Sequence, residues 1–335
     1  IGTDGTSDWS EARVTAFVSA PDAFSGTRLG NRVERYAQVL INEVRAEPSK
    51  FETDAWDHVP APRHPLVWDD ELNLTAHQYA WVLLNQTPEP LPTQPPHECL
   101  GPSGIGHGDW FSQWQSDRAA YVGYTGHLWF DPNAAGGAGG HWQGVDENLI
   151  LSGASNDGST SGALQGFLGS SGHWWSALND NHHVMGWGHA YDPDERSTFG
   201  SCVSNIVANY GTNTDIVPHK VPAGAFIPFD DLLAWDGRAD DTEFTFVANF
   251  YDVDGGSPTR AEVLVDGVAH SLNLRTGTGA NGTWEASTTL SEGDHDYHFE
   301  FDLGGVTYIW PADGSTMRGP RVRPHVVEID ASAVI

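Results

Sequence analysis

Apolar residues recur at three- and four-residue steps between positions 31 and 47, where Val33, Tyr36, Leu40 and Val44 share one helical face before Pro48 closes the run. A second stripe of this kind, Leu72, Ala76, Tyr79 and Leu83, follows Asp69 and Asp70, either of which suits the N-cap of a helix reaching about Asn85. Pro88, Pro90, Pro92, Pro95 and Pro96 then stop any helix and stiffen an extended loop. Residues 131–144 open on Asp-Pro-Asn and continue in glycine and alanine, which predicts a flexible loop. Beyond it the pattern predicts a helix over about 159–170, a short helix after His173, and strands over Val184–Tyr191 and residues 201–210.

Past Pro218, Pro222 and Pro228 the period changes from helical to two. Alternating runs at Glu243–Tyr251, Arg260–Val265, 270–274, 283–289, 297–303 and Val306–Trp310 are separated by Gly, Asp and Asn turns, as in an antiparallel β-sandwich. The chain is therefore expected to be α+β, with a surface arm over residues 1–28, a helix-rich domain over 29–212, a linker over 213–224 and a β-sandwich over 225–335. The two halves are expected to be separable. Asp252 and Asp254 resemble half a calcium loop, but no glutamate follows at the required distance, so a hairpin turn is expected there.

Composition narrows the partners. With 335 residues the chain is long enough for two cores, and it contains no apolar run of about 18 residues that could span a bilayer as a helix. Its formal net charge of −29 excludes nucleic acid as a partner, because phosphates would be repelled. Lys50 and Lys220 are the only lysines, and an acidic, lysine-poor surface of this kind stays soluble in salt water. A start at Ile1 is expected for a trimmed chain from which a secretion signal has been removed.

Two runs point to chemistry. Gly144-Val145-Asp146-Glu147-Asn148-Leu149-Ile150 places a carboxylate at the head of an apolar stretch, and Gly166-Phe167-Leu168-Gly169-Ser170-Ser171-Gly172-His173 ends a Gly/Ser-rich helix exit in an imidazole. Together they resemble the Glu-Asn-Ile and Trp-x-x-Ser-Pro-Gly-His signatures of bacterial CAP domains, the cysteine-rich secretory, antigen 5 and pathogenesis-related-1 superfamily. Phe167 stands where that family has Trp, and Ser171 where it has Pro. Upstream, Asn42-Glu43-Val44-Arg45 resembles the family's first-helix Asn-x-x-Arg, and Pro65-Leu66-Val67-Trp68-Asp69-Asp70-Glu71-Leu72 its Pro-Leu-x-Trp-Asp-x-x-Leu. The resemblance covers about residues 30–212. In the second half, Phe250-Tyr251-Asp252, Val265-Asp266-Gly267 and Glu292-Gly293-Asp294-His295 resemble immunoglobulin-like modules of secreted bacterial proteins.

The resemblance implies a three-layer α-β-α sandwich of CAP type followed by the antiparallel β-sandwich, in a secreted, cell-surface or periplasmic protein. It also implies a groove with two His and two acidic residues. Glu147 and His173 map onto two of these positions, with catalytic roles if the groove is catalytic. The first histidine is His107, ten residues before Asp117-Arg118, or alternatively His97. The second acidic position is Ser170 rather than Glu. Such imidazoles could hold a divalent metal, Zn²⁺ by their chemistry, and a metal-bound water could be activated with Glu147 as base. Against that stands a hydrogen-bonded His–Glu pair that orders the groove without chemistry.

Trp142, Trp174 and Trp175 are expected with Ser170 along the groove, and of the adjacent pair Trp174 and Trp175 one should face outward. His189 is placed at the groove mouth, His182-His183 in a polar turn, and His295 on a solvent-facing strand position. Cys99 and Cys202 can pair only with each other. A disulfide between them in a secreted chain would stabilise by on the order of 4 kcal/mol, and two buried thiols are the other possibility. Three functions stay open: binding of an extracellular lipid, glycan or peptide; metal-assisted hydrolysis of an extracellular polymer; and a structural or adhesive surface module.

Overall fold

A computed structural model describes residues 32–85, 115–124, 126–131, 141–152, 159–191, 204–213, 216, 218–227 and 242–322. The arm expected over 1–28, together with His97, His107, Cys99 and Cys202, lies outside these residues.

Helix α1 (Arg32–Ala46) is the centre of the fold, with every side chain from Val33 to Ala46 buried. Its apolar residues Tyr36, Ala37, Leu40, Ile41 and Val44 pack with Phe167, Trp174, Trp187 and Tyr210. Burial of its polar residues is tolerated only because each has a partner. Gln38 Nε2 donates to the carbonyl of Leu66 (3.1 Å), and Asn42 brackets the same residue, donating to its carbonyl (3.1 Å) and accepting from its N–H (2.7 Å). Arg45 fans out to the carbonyls of His64 (2.8 Å), Ala177 (2.8 Å), Asn179 (3.1 Å) and His182 (3.2 Å). Complete burial, with the neighbouring charge of Arg63, pushes the Arg45 guanidinium down to about 9.

Four strands form the first sheet in the order β1, β5, β6, β4: β1 (Val67–Trp68), β4 (Val145–Ser152), β5 (Val184–Tyr191) and β6 (Ser204–Gly211). Only β1 runs parallel to its neighbour. Helix α2 (Asp70–Asn85) is capped by Asp69, whose Oδ1 accepts from the Leu72 N–H at 2.9 Å. It lies unusually close to β5. A Cβ at Gly186 would sit 2.1 Å from the Asn73 nitrogen, and one at Gly188 2.2 Å from the Ala76 carbonyl carbon. Helix α3 (Gln115–Tyr121) joins α2 on that face, while α1, α4 (Thr160–Leu168) and α5 (His173–Leu178) pack on the other. Strands β2 (Trp129–Asp131) and β3 (His141–Gln143) make a separate ribbon.

Among the described residues of the second half are nine strands: β7 (Ala223–Phe226), β8 (Glu243–Tyr251), β9 (Arg260–Val265), β10 (Val268–Ser271), β11 (Asn273–Thr278), β12 (Asn281–Thr289), β13 (Gly293–Leu303), β14 (Val306–Trp310) and β15 (Met317–Val322). One sheet runs β10, β9, β13, β14 with β15 also on β13, the other β11, β12, β8, β7. Phe246, Phe250, Tyr297, Phe299, Phe301 and Trp310 fill the space between them. The antiparallel sandwich expected from period two is present. The single strand expected over 270–274 is instead two strands in different sheets. The chain changes sheet at Leu272, which is buried and donates its N–H to Ala261 at 2.8 Å. Asp266 (φ 50°) and Gly267 (φ 78°) make the β9–β10 turn, the left-handed geometry that an Asp-Gly pair supplies. Asp252 closes its own turn, accepting from Gly256 N–H at 2.6 Å and pairing with Lys220.

The two halves share an apolar cluster. Part of the expected linker is strand β7, and Ala223, Ala225 and Val247 belong to the same apolar cluster as α1. Asn249 donates to the Val39 carbonyl (3.3 Å), Arg275 pairs with Glu43 (2.9 Å), and the Gly277 N–H bonds Glu47 (2.9 Å). The sandwich thus covers one side of α1 and the mixed sheet the other. A helix with two buried faces needs two partners, which is the physical argument against the expected independence.

Residues 29–212 produced alone should therefore show no cooperative thermal transition, while the full chain melts as one unit. Circular dichroism decides this, and a sharp transition of the fragment within a few degrees of the full chain would refute the shared core. No helix among the described residues is long and apolar enough to cross a membrane.

Candidate functional site

Strand β4 forms one edge of the first sheet, and its side chains alternate between the two faces. Asn148 points to the α1 and α5 face, where its Nδ2 donates to the His173 carbonyl (2.9 Å) and to the Tyr210 hydroxyl (3.3 Å). The start of α5 is thereby fixed to the strand. Glu147 leaves on the opposite face, where its side chain is 1% exposed and forms an ion pair with Arg118, itself 2% exposed. The Arg118 guanidinium lies 3.9 Å over the ring of Tyr79, so helices α2 and α3 and strand β4 meet at this pair. Asn209, opposite Glu147 in the ladder, donates to the Leu72 carbonyl at 3.5 Å on the same face.

Arg118 is the residue that pattern reasoning missed. It served only to locate the first histidine, and nothing in its neighbours separates a buried arginine on a seven-residue helix from a surface one. The expected Glu147 partner was an imidazole. Among the described residues a partner of Glu147 is the Arg118 guanidinium; the candidate first histidines, His97 and His107, lie outside them.

His173 begins α5, partly exposed, with its ring 5.9 Å from that of Phe167. Phe167 is 1% exposed and meets Trp187 edge-on at 6.0 Å, filling a core position. Ser170 lies in the turn between α4 and α5: its N–H donates to Phe167 and its carbonyl accepts from Trp174, both at 3.2 Å. Of the two adjacent tryptophans, Trp174 is 3% exposed and Trp175 45%, as their helical offset demands. Trp142 belongs to β3, paired in register with Phe130, and its side chain lies outside the described residues.

Three histidines differ from expectation. His182 is no turn ornament: it is buried, donates Nδ1 to the Ser176 carbonyl (2.8 Å), lies 3.3 Å from Asp146 and stacks on Tyr210 at 5.8 Å. His189 is 1% exposed within β5, so it lines no mouth. His295 is buried between Asp266 (2.6 Å) and the Ser291 carbonyl (2.8 Å), because the start of β13 folds under the β9–β10 turn. His64 stacks on His183 at 4.5 Å, and burial together with Arg45 holds its imidazole down to about 4.

The fit to a divalent cation is poor among the described residues. They contain no group of three or more His, Cys, Asp or Glu placed to hold a metal. The Glu147 carboxylate is already compensated by Arg118, and a cation drawn to it would meet a like charge at low dielectric. The expected ligands His97 and His107 lie outside the described residues, as does the Cys99–Cys202 pair.

Known proteins add little. No family model matches the chain, and no curated protein matches it. Among solved structures the chain has a partial likeness to the pullulanase from Bacillus acidopullulyticus, at 11% identity over 36% of this chain. The match spans 16% of the pullulanase chain with a TM-score of 0.14, too low to support any statement about fold or activity.

The buried pair predicts an asymmetry. Glu147→Gln or Arg118→Met alone should cost about 3–5 kcal/mol, since each strands a buried charge, whereas Arg118→Met with Glu147→Leu should cost less than the sum. Urea denaturation of the three variants measures this. Additive losses would mean that the two charges do not depend on each other.

Asp69 supplies a pH test. Burial raises its carboxyl to about 7 from an ordinary 3.8. The folded state therefore holds a proton that the unfolded state has released, and this contribution, full below pH 3.8, is lost as pH rises through 7. Asp69→Asn keeps the capping oxygen and should raise the melting temperature at pH 8 while leaving it nearly unchanged at pH 4. An equal loss at both values would contradict the assignment.

Proposed function

We propose that this chain is a secreted, bacterial CAP-type binding protein, with an immunoglobulin-like sandwich as its second half and a groove beside β4 and α5 that accepts an extracellular lipid, glycan or peptide. Support comes from where the landmarks fall: Asn42 and Arg45 on α1, Leu66 and Trp68 at β1, Glu147 on β4 and His173 at the head of α5. The observation that carries binding over hydrolysis is the Arg118–Glu147 pair. A carboxylate enclosed by protein and held by a guanidinium is a structural counter-ion, not a base waiting for a water. In this role Glu147 keeps the edge strand joined to α3, and no metal at Glu147 is required.

Co-sedimentation of the full chain with insoluble neutral polysaccharide, with phosphatidylcholine vesicles and with bead-linked oligolysine tests the proposal. Retention on at least one probe, unchanged by EDTA, is the expected result. Retention on none overturns the reading. So does turnover of a polymer that Glu147→Gln abolishes while folding is retained, because that result restores the hydrolase.

A further inference from the structure

Loop 51–60 folds back onto the end of α4, where Thr53 Oγ1 and Trp56 Nε1 both donate to the Leu168 carbonyl at 2.9 and 2.6 Å. Trp56 is thereby held against Trp174, ring to ring at 5.1 Å and 21°. Two further rings continue the cluster outward. Trp175 stands edge-on to Trp174 at 5.7 Å and 90°, and His58 lies 5.5 Å from Trp174 and 6.2 Å from Trp175. The inner pair is buried, whereas Trp175 is 45% exposed and the His58 side chain 55%. His58 Nδ1 lies 2.7 Å from Asp57 Oδ1, and Asp57 is almost fully exposed.

We infer that Trp175 and the Asp57–His58 pair form a binding site for one pyranose ring of a neutral polysaccharide, a substrate class that rests on the binding-protein reading above. A pyranose presents an apolar C–H face suited to an indole surface, and a rim of hydroxyls that need planar polar partners. Both occur here within one patch. With Nδ1 engaged by Asp57, the imidazole keeps Nε2, and the carboxylate its second oxygen, for those hydroxyls.

Other occupants fit less well. The exposed large apolar residues at this end are Trp175 and Val59, far short of the roughly 800 Å² per partner that a stable protein interface buries. Glu52, Asp54 and Asp57 on the same loop are exposed, in a chain of net charge −29, which repels anionic glycans and anionic lipid headgroups. The platform is also rigid: Asn148 fixes the head of α5, and the buried Trp56–Trp174 stack supports the same first turn. Little ordering entropy remains to be lost on binding.

Titration calorimetry of the full chain with β-1,4-linked hexasaccharides of glucose and of N-acetylglucosamine tests the site. The wild type should bind at least one saturably. Trp175→Ala should raise Kd about tenfold or more, Trp175→Tyr should retain most of the affinity, and His58→Ala should weaken it about two- to tenfold. Because Trp175 is exposed, its variants should melt within a few degrees of wild type. Equal affinity of wild type and Trp175→Ala overturns this site. Retention on vesicles or oligolysine without binding of either hexasaccharide overturns the sugar assignment and leaves the binding reading standing. Failure on every probe overturns both.

Discussion

Six charged or amide side chains (Glu34, Arg35, Gln38, Asn42, Glu43 and Arg45) ride on a helix buried from Val33 to Ala46, and the rest of the architecture answers to them. A buried polar group without a partner costs free energy of the same order as a whole domain's margin of stability when several are summed. Arg45 alone fixes the approach to β1, the end of α5 and the turn into β5 by gathering four carbonyls. Glu43 and Glu47 do the same toward the sandwich through Arg275 and Gly277. The polar residues of α1 thus act as addresses. Each is satisfied only in the arrangement in which sheet, helices and sandwich close around it, which favours one fold over apolar collapse in many registers.

The edge of the first sheet shows how one strand serves two purposes. Asn148 ties α5 to one face and Glu147 ties α3 to the other, a division imposed by the two-residue period of the strand. Helix α5 then has little freedom, and its surface residues inherit that rigidity. Trp174 goes inward to Trp56, and Trp175, about 100° further round the helix, goes outward. A fixed aromatic surface beside a short polar loop is a consequence of how the core is anchored rather than an addition to it.

Burial moves two interior groups far from their ordinary titration ranges, in opposite directions. His64 is held neutral by burial and by Arg45, so its contribution to stability is lost only as pH falls below 6.5 toward 4. Asp69 works in the opposite direction, since burial favours its protonated form up to about pH 7. Between about pH 4 and 6.5 the two effects oppose each other, since what His64 gains as pH rises Asp69 loses, and together they leave stability nearly level across mildly acidic solution.

Local rules determined much of this protein. Periodicity gave α1, α2 and the strands Glu243–Tyr251, Arg260–Val265 and Val306–Trp310, because their side chains meet one environment along the whole element. Capping chemistry placed Asp69 or Asp70 at the start of α2, the structure choosing Asp69, and helical offset separated Trp174 from Trp175. Tertiary structure decided what depends on partners distant in the chain. The crossing between sheets at Leu272 cannot be seen in an alternating pattern that reads the same in either sheet. The second cover on α1 was hidden because the helix shows one apolar stripe, while its other faces are buried through hydrogen bonds and ion pairs with the sandwich. Arg118 was hidden for the same reason: a guanidinium 29 positions from its carboxylate becomes a core residue only when two helices and a strand enclose both.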